Sequence, residues 1–273
     1  MSHSCCGSCN CQEKKKENFF KSFAKMSNDS KIKTIAVALI LCLLCSFAVS
    51  LVAVSLKPIQ NKNNQDYKEK NMLIAAGLPV DNPASFDLID KKWIDVETGD
   101  FITDKASGGK PAFDKDNPRY QQVYFVNNDQ GVAEKIIVPF GGKGAWGPIN
   151  GFLVVYRKVS SYYKMPYNEI ANVLFYEQSE TPGLGGKIEE PEWRYNWQHK
   201  EMYDRDGNLV LDVVKHGFVS DDVIKSKYLV DGLSGATVTT GYASKFTRLR
   251  LGDKGYKKFF AKLRSMEQQN DRK

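Results

Sequence analysis

The stretch Ile35-Ala-Val-Ala-Leu-Ile-Leu-Cys42-Leu-Leu-Cys45-Ser-Phe-Ala-Val-Ser-Leu-Val-Ala-Val-Ser-Leu56 holds no charge, no proline and no glycine. As a helix rising about 1.5 Å per residue it reaches roughly 33 Å, enough to cross a hydrocarbon core of about 30 Å. Its serines can return their hydroxyls to the helix backbone, and Lys33 and Lys57 bracket it where lysine stems snorkel to an interface. The run therefore reads as one transmembrane helix over residues 35–56. A cleaved signal peptide is the competing reading. It fits less well, because the polar stretch before the run is long and the apolar core exceeds the 7–15 residues typical of such peptides. Cys45 follows two leucines, which does not match a lipoprotein-type cleavage site.

Outward from this run the chain divides into a tail (1–34), the helix (35–56), a polar connector with helical character (57–80) and a large domain (81–273). The tail carries seven Lys against Glu13, Glu17 and Asp29, so it holds +4 of the formal net charge of +7. That lysine bias, modest beside Lys57, Lys62, Lys68 and Lys70 downstream, points the tail to the cytoplasm and the large domain to the periplasm. Membrane lipid is thus one expected partner. All six cysteines lie at positions 5, 6, 9, 11, 42 and 45, so the outer domain needs no disulfide. Cys5, Cys6, Cys9 and Cys11 could hold a soft metal, but nothing later in the chain supplies a matching set, and a disordered tail with reduced thiols is the simpler reading. The remaining +3 is spread over the outer domain without a basic stripe, which excludes nucleic acid as a partner. With His199 and His216 alone among histidines there, and no cysteine, a metal centre is not expected.

Apolar runs at 123–126, 135–138, 151–156, 170–176 and 209–214 predict strands, and 239–250 and 253–267 predict helices. Residues 81–118, rich in Gly, Pro and Asp, read as irregular, and Gly77 with Pro79 should stop a helix near Ala76. The fold class expected is α+β: one N-terminal transmembrane helix, then a mixed domain with a mainly antiparallel sheet and flanking helices.

Gly142-Lys-Gly144-Ala-Trp146-Gly147 has the G-x-G-x-x-G spacing of a dinucleotide fingerprint. That fingerprint must open a helix, and here Pro148 and a strand-like run follow, so a strand–turn–strand is expected. Gly186-Lys187 fails as a phosphate loop, because Thr181 and Ile188 stand at the decisive positions.

Two segments carry chemistry. Glu180-Thr181-Pro182-Gly183-Leu184-Gly185-Gly186 combines backbone freedom with one stiff residue, which lets main chain pass close to a flat ligand. A plain surface turn is the alternative. Asp231-Gly-Leu-Ser234-Gly235-Ala236-Thr237 leads into a helix start, where amides favour an anionic phosphate and small residues leave room for it. An ordinary Ser/Thr helix cap would look similar.

These residues resemble a known family. Asp231-x-x-Ser234-Gly-Ala-Thr237 is the flavinylation motif of bacterial FMN-binding domains, and Glu180-Thr-Pro-Gly-Leu-Gly185 resembles their flavin-side loop. Gly144-Ala-Trp146-Gly, Asn150-Gly-Phe152, Asn71-Met-Leu-Ile-Ala-Ala-Gly-Leu78, and Trp193 with Trp197 narrow the match to the C subunits of the Na+-translocating NADH:quinone oxidoreductases, from about residue 33 to about 267.

The resemblance implies an FMN ester on Thr237, put there by a flavin transferase that recognises Asp231, Ser234, Gly235 and Ala236. Thr181, Gly183, Leu184 and Gly185 would line the flavin side, with Trp146 as an aromatic neighbour. It further implies a one-electron relay, one FMN per chain, among the other subunits of an inner-membrane complex that oxidises NADH, reduces quinone and moves Na+ outward. The flavin-bearing G subunit of the Rnf ferredoxin–NAD+ oxidoreductases is the nearest alternative, and a cofactor-free membrane-anchored assembly protein is the more distant one.

Overall fold

A computed structural model describes residues 31–102, 118–157, 165–219 and 225–270. The cysteine-rich tail, with the metal reading of Cys5, Cys6, Cys9 and Cys11, lies outside the described residues. Two compact units divide the chain, residues 1–65 and 66–273.

In the first unit the described residues belong to one helix, α1 (Lys31–Ala76), which runs on through Pro58. It is long and apolar enough, by length and composition, to cross a membrane. Its large aliphatic side chains from Ile35 to Leu56 are exposed, as suits a helix solvated by lipid. Ser55 donates its hydroxyl to the Leu51 carbonyl at 2.7 Å, so this serine costs the run little.

The second unit begins in the last turns of α1. Gly77, at φ +77°, ends that helix: its amide reaches the Ile74 carbonyl (3.1 Å) and the Leu78 amide reaches Leu73 (2.9 Å), closing the two bonds of a Schellman cap. After a short turn of helix, α2 (Ala84–Asp87), comes an antiparallel sheet of six strands. These are β1 (Ile89–Asp95), β2 (Asp100–Ile102), β3 (Tyr120–Asn127), β4 (Ala133–Lys143), β5 (Pro148–Tyr156) and β6 (Ile170–Glu177), in the order β2-β1-β3-β4-β5-β6. The expectation that 81–118 is irregular therefore fails for β1 and β2. Ile89-Asp-Lys-Lys-Trp-Ile-Asp95 hides its strand because Asp90, Lys91 and Lys92 stay exposed while Ile89 and Ile94 are buried.

The sheet is covered on both faces. Ile137, Phe152, Val154 and Leu174 pack on Met72, Leu73 and Ala76 of α1. The alternate residues Ile136, Val138, Leu153 and Val155 face the second layer. Burial on both sides is why 152–155 is an unbroken apolar run rather than an alternating one. The second layer holds α3 (Pro191–Tyr195), α4 (Thr237–Leu251) and α5 (Lys257–Asn270). The expected strand over 209–214 shrinks to β7 (Asp212–Val213), parallel to β8 (Leu229–Val230), while Leu209 makes only an isolated bridge to Tyr203. Leu209 and Leu211 are apolar because they pack toward the core, not because they extend a ladder, whereas Val213 does both.

Helix α4 is pinned to β4. Phe246 meets Phe140 edge-on at 5.3 Å and Phe175 at 5.9 Å. A Cβ at Gly142 would come within 2.7 Å of the Phe246 Cβ, so this strand position has to be bare. Arg250 Nε donates to the Gly141 carbonyl (2.8 Å), Tyr203 to Leu251 (2.8 Å) and Tyr256 to Pro139 (3.0 Å). Burial pushes both phenols well above the usual tyrosine range.

At the far end of the sheet, burial favours the protonated form of Asp95. Hydrogen bonds from Arg119 (Nε at 2.9 Å) and the Glu97 amide (2.9 Å), with the guanidinium charge, outweigh it and hold the carboxyl below its usual value of 3.8. A depressed carboxylate contributes stability above its unfolded-state pKa and loses it as the pH falls through its folded-state pKa. Urea unfolding of the detergent-solubilised chain is expected to weaken below about pH 4, and Asp95→Asn should flatten part of that slope. An identical acid slope in the variant would contradict the assignment.

Candidate functional site

Three segments far apart in sequence converge at one end of the sheet, where the β4–β5 turn and the C-terminus of β6 lie side by side. The four-residue turn between β4 and β5 is closed by a hydrogen bond from the Gly144 amide to the Gly147 carbonyl (2.7 Å). It is the strand–turn–strand expected, with no helix to receive a dinucleotide. The second segment follows β6: the Thr181 carbonyl accepts from the amides of Leu184 (3.1 Å) and Gly186 (3.0 Å), and Gly183 sits at φ +74°. A short 3-10 turn over Gly185–Glu189 leads from it to α3. The third segment is 231–237, where Gly235 at φ +75° and Ala236 deliver the chain into α4, whose first residue is Thr237.

Between them lies a cleft of about 460 Å³, within the range of small-molecule sites. The turn contributes Ala145 and Trp146, and the loop contributes Glu180, Thr181, Leu184 and Gly185. The helix wall is Gly235 to Thr239, with Tyr242 one turn deeper. Trp146 is 76% exposed, Val238 67% and Leu184 47%, so apolar groups stand in the open around the mouth. Thr237 is exposed as well. No side chain caps α4, and its first amides come before any intrahelical acceptor.

Beneath the mouth is a buried carboxylate. Glu180, 5% exposed, accepts from the amides of Ala145 (2.7 Å) and Trp146 (3.2 Å) on one oxygen and from the Thr239 hydroxyl (2.6 Å) on the other. Gly144 and Gly185 pack directly on it. A Cβ on Gly144 would overlap Glu180 Oε1; one on Gly185 would overlap Thr239 Oγ1 and come within 2.9 Å of Glu180.

Trp146, Thr181, Leu184, Gly185, Gly235, Ala236 and Thr237, all singled out from sequence, thus come together in one cleft. Asp231 and Ser234 do not line it. They belong to a smaller cleft of about 180 Å³ beside Trp193 and His216. There the Asp231 carboxylate takes the Gly217 amide (2.8 Å) and His216 Nδ1 (2.7 Å), while its carbonyl accepts Trp193 Nε1 (2.8 Å). Gly183 shapes the loop without lining the larger cleft.

A family model for the FMN-binding domain matches residues 144–246, a span that opens at Gly144 and closes at Phe246. The C subunit of the Na(+)-translocating NADH-quinone reductase of Pseudomonas aeruginosa is 34% identical over 268 residues, covering 88% of this chain and 99% of that protein. Its counterpart in Haemophilus ducreyi is 32% identical over 266 residues, covering 89% and 98%. The chain belongs to the family of C subunits of the Na+-translocating NADH-quinone reductases. A crystal structure of NqrC from Shewanella oneidensis superposes with a TM-score of 0.59 at 26% identity, over 74% of this chain and 99% of that one.

Glu180, Thr239 and Tyr242 also line the cleft, though nothing in the sequence marks them as site residues. Glu180 stood in a quoted motif, but no spacing rule places an acidic residue from a surface-type loop in the interior. Thr239 and Tyr242 read only as ordinary positions of an expected helix.

The packing leads to a paired stability prediction. Gly185→Ala should lower the unfolding free energy by about 1–3 kcal/mol, because the new methyl displaces the Thr239–Glu180 pair. Gly241→Ala, in α4 with open space around it, should raise it by about 0.5–1 kcal/mol. Urea titration of the flavin-free chain measures both. Equal effects at the two sites would show that the cleft does not constrain Gly185.

Proposed function

We propose that this chain carries FMN joined through its phosphate to the Thr237 hydroxyl and serves as a one-electron relay in a Na+-translocating NADH:quinone reductase. The observation that carries the reading is the position of Thr237: an exposed hydroxyl on the first residue of α4, in the same cleft as Trp146, Thr181, Leu184 and Gly185.

The residues present suit the group. Gly235 and Ala236 crowd the hydroxyl as little as side chains can, and the amides at the start of the 15-residue helix α4 favour a phosphate there. The exposed indole of Trp146 and the Leu184 side chain offer apolar surface to a flat ring at the cleft mouth. Gly185 lets the loop backbone settle directly on Thr239 and Glu180, where a Cβ would overlap them. When bound, FMN supplies reversible electron uptake; the chain supplies its placement and surroundings. Attachment at the phosphate leaves the ring free, and an open cleft suits a relay that must come near its partners.

The membrane part follows from α1. We take residues 35–56 as a single pass through the bacterial inner membrane, with the lysine-rich tail in the cytoplasm and the FMN domain in the periplasm. The partners are then membrane lipid, the other subunits of the complex and, during maturation, a flavin transferase that reads Asp231 to Thr237. Asp231 faces away from the cleft, which suits a residue read from outside before the flavin is seated. NADH oxidation, quinone reduction and Na+ movement are activities of the assembly. No carboxylate lies within residues 35–56, so this chain supplies no intramembrane acid to an ion path.

The test is in-gel fluorescence. The chain matured with an active flavin transferase should give a band that glows under ultraviolet light after boiling in SDS, and Thr237→Ala should abolish it. A glowing band from the variant would overturn the attachment site, and a dark band from the native chain would overturn the cofactor reading.

A further inference from the structure

Glu180 is the one acidic or basic side chain among the described residues that line the cleft. It is buried, and every polar group hydrogen-bonded to its carboxylate donates to it: two amides of the β4–β5 turn and the hydroxyl of Thr239. A carboxylate surrounded in this way acts only as an acceptor. The same side chain therefore spans from the loop after β6 to the turn that holds Trp146 and to the first turn of the helix that begins at Thr237. Gly144 and Gly185 are bare against it, so neither segment can shift inward without meeting the carboxylate.

We propose that Glu180 is a positioning residue of the flavin site with two separable effects. Its hydrogen bonds set the gap between Trp146 and Thr237. Its negative charge, at the wall of the cleft and shielded from water, holds the reduction potential of the bound FMN down by opposing the arrival of an electron. The proposal rests on the cleft being the FMN site, and its two effects fail in different ways.

Three substitutions separate the effects. Glu180→Gln keeps the hydrogen bonds and removes the charge: the amide oxygen accepts from Ala145 and Trp146, while the amide nitrogen donates to Thr239, whose hydroxyl turns to accept. Thr239→Val keeps the charge and cuts only the tie to the helix. Glu180→Ala removes both and leaves two amides and a hydroxyl without their acceptor.

The experiment uses the full-length chain in detergent, matured with a flavin transferase. It compares the midpoint potential of the bound FMN, the rate of FMN incorporation, and the fluorine resonance of Trp146 in flavin-free protein labelled with fluorotryptophan. Glu180→Gln should match the native chain in incorporation and in the Trp146 resonance, with its midpoint moved to a more positive potential. Thr239→Val should leave the Trp146 resonance in place and slow incorporation. Glu180→Ala should narrow and shift the Trp146 resonance and slow incorporation by roughly tenfold or more.

An unmoved or lowered midpoint in Glu180→Gln overturns the charge effect. A native Trp146 resonance and native incorporation in Glu180→Ala overturn the positioning effect. Should Glu180→Ala fail to fold, Thr239→Val decides that effect, with native incorporation counting against it. Should the native chain take no flavin, the functional reading falls, while the Trp146 resonance of flavin-free Glu180→Ala still tests whether the carboxylate holds the turn.

Discussion

The whole site depends on one packing constraint, the seating of α4 on the bare stretch of β4. Gly142 leaves just enough space for Phe246, which wedges between Phe140 and Phe175. Arg250 ties the last turn of the helix to the Gly141 carbonyl. Interiors are dense enough that such a contact fixes a helix in register as well as in place. With the C-terminal half of α4 fixed, its first residue can only emerge beside the β4–β5 turn, which is itself an extension of the strand under Phe246. The hydroxyl of Thr237 and the indole of Trp146 are thus positioned by the same strand. Asp212 adds a lateral hold, taking the Ser244 hydroxyl (2.7 Å) and Arg248 Nε (3.2 Å).

Burial and exposure divide the labour within the cleft. The groups that set its shape are interior: Glu180, Thr239, Gly185 and Ala236. The groups offered to a ligand, namely Thr237, Trp146 and Leu184, are exposed. An exposed tryptophan and leucine would be a liability on an idle surface, whereas a flat heteroaromatic ring would cover both. A buried carboxylate would be costly without its three donors, and the amides of the turn and the hydroxyl of α4 provide them in full.

Much of this could be read from the amino-acid order, for identifiable reasons. Phe152 to Val155 announces a strand buried on both faces because nothing polar interrupts it. The helix expected at 239–250 lies within Thr237–Leu251 because its apolar residues recur at helical spacing. Residues 89–95 are opaque because a strand next to the sheet edge can leave charged side chains at the surface, where Lys91 reaches Glu69 at 2.8 Å and Lys92 lies over the Phe125 ring at 4.8 Å. The strand read at 209–214 shows the converse error: only Asp212 and Val213 find ladder partners, and Leu209 and Leu211 are apolar because they pack on the core. In the site, Thr237 and its small neighbours were legible because they are contiguous. The role of Glu180 was not, since its donors come from residues 35 positions before it and 59 after it. Adjacency in the motif does not mean a shared cleft: the Asp231 side chain turns to His216 and the smaller one.

The central claim, a phosphoester on one helix-start hydroxyl, is tested most directly by the mass of the tryptic peptide 228–245 from chain matured in cells. The account predicts that peptide heavier by one FMN less one water, with the added mass localised by fragmentation to Thr237. A peptide of unmodified mass, or the added mass on Ser234, Thr239 or Thr240, would contradict it.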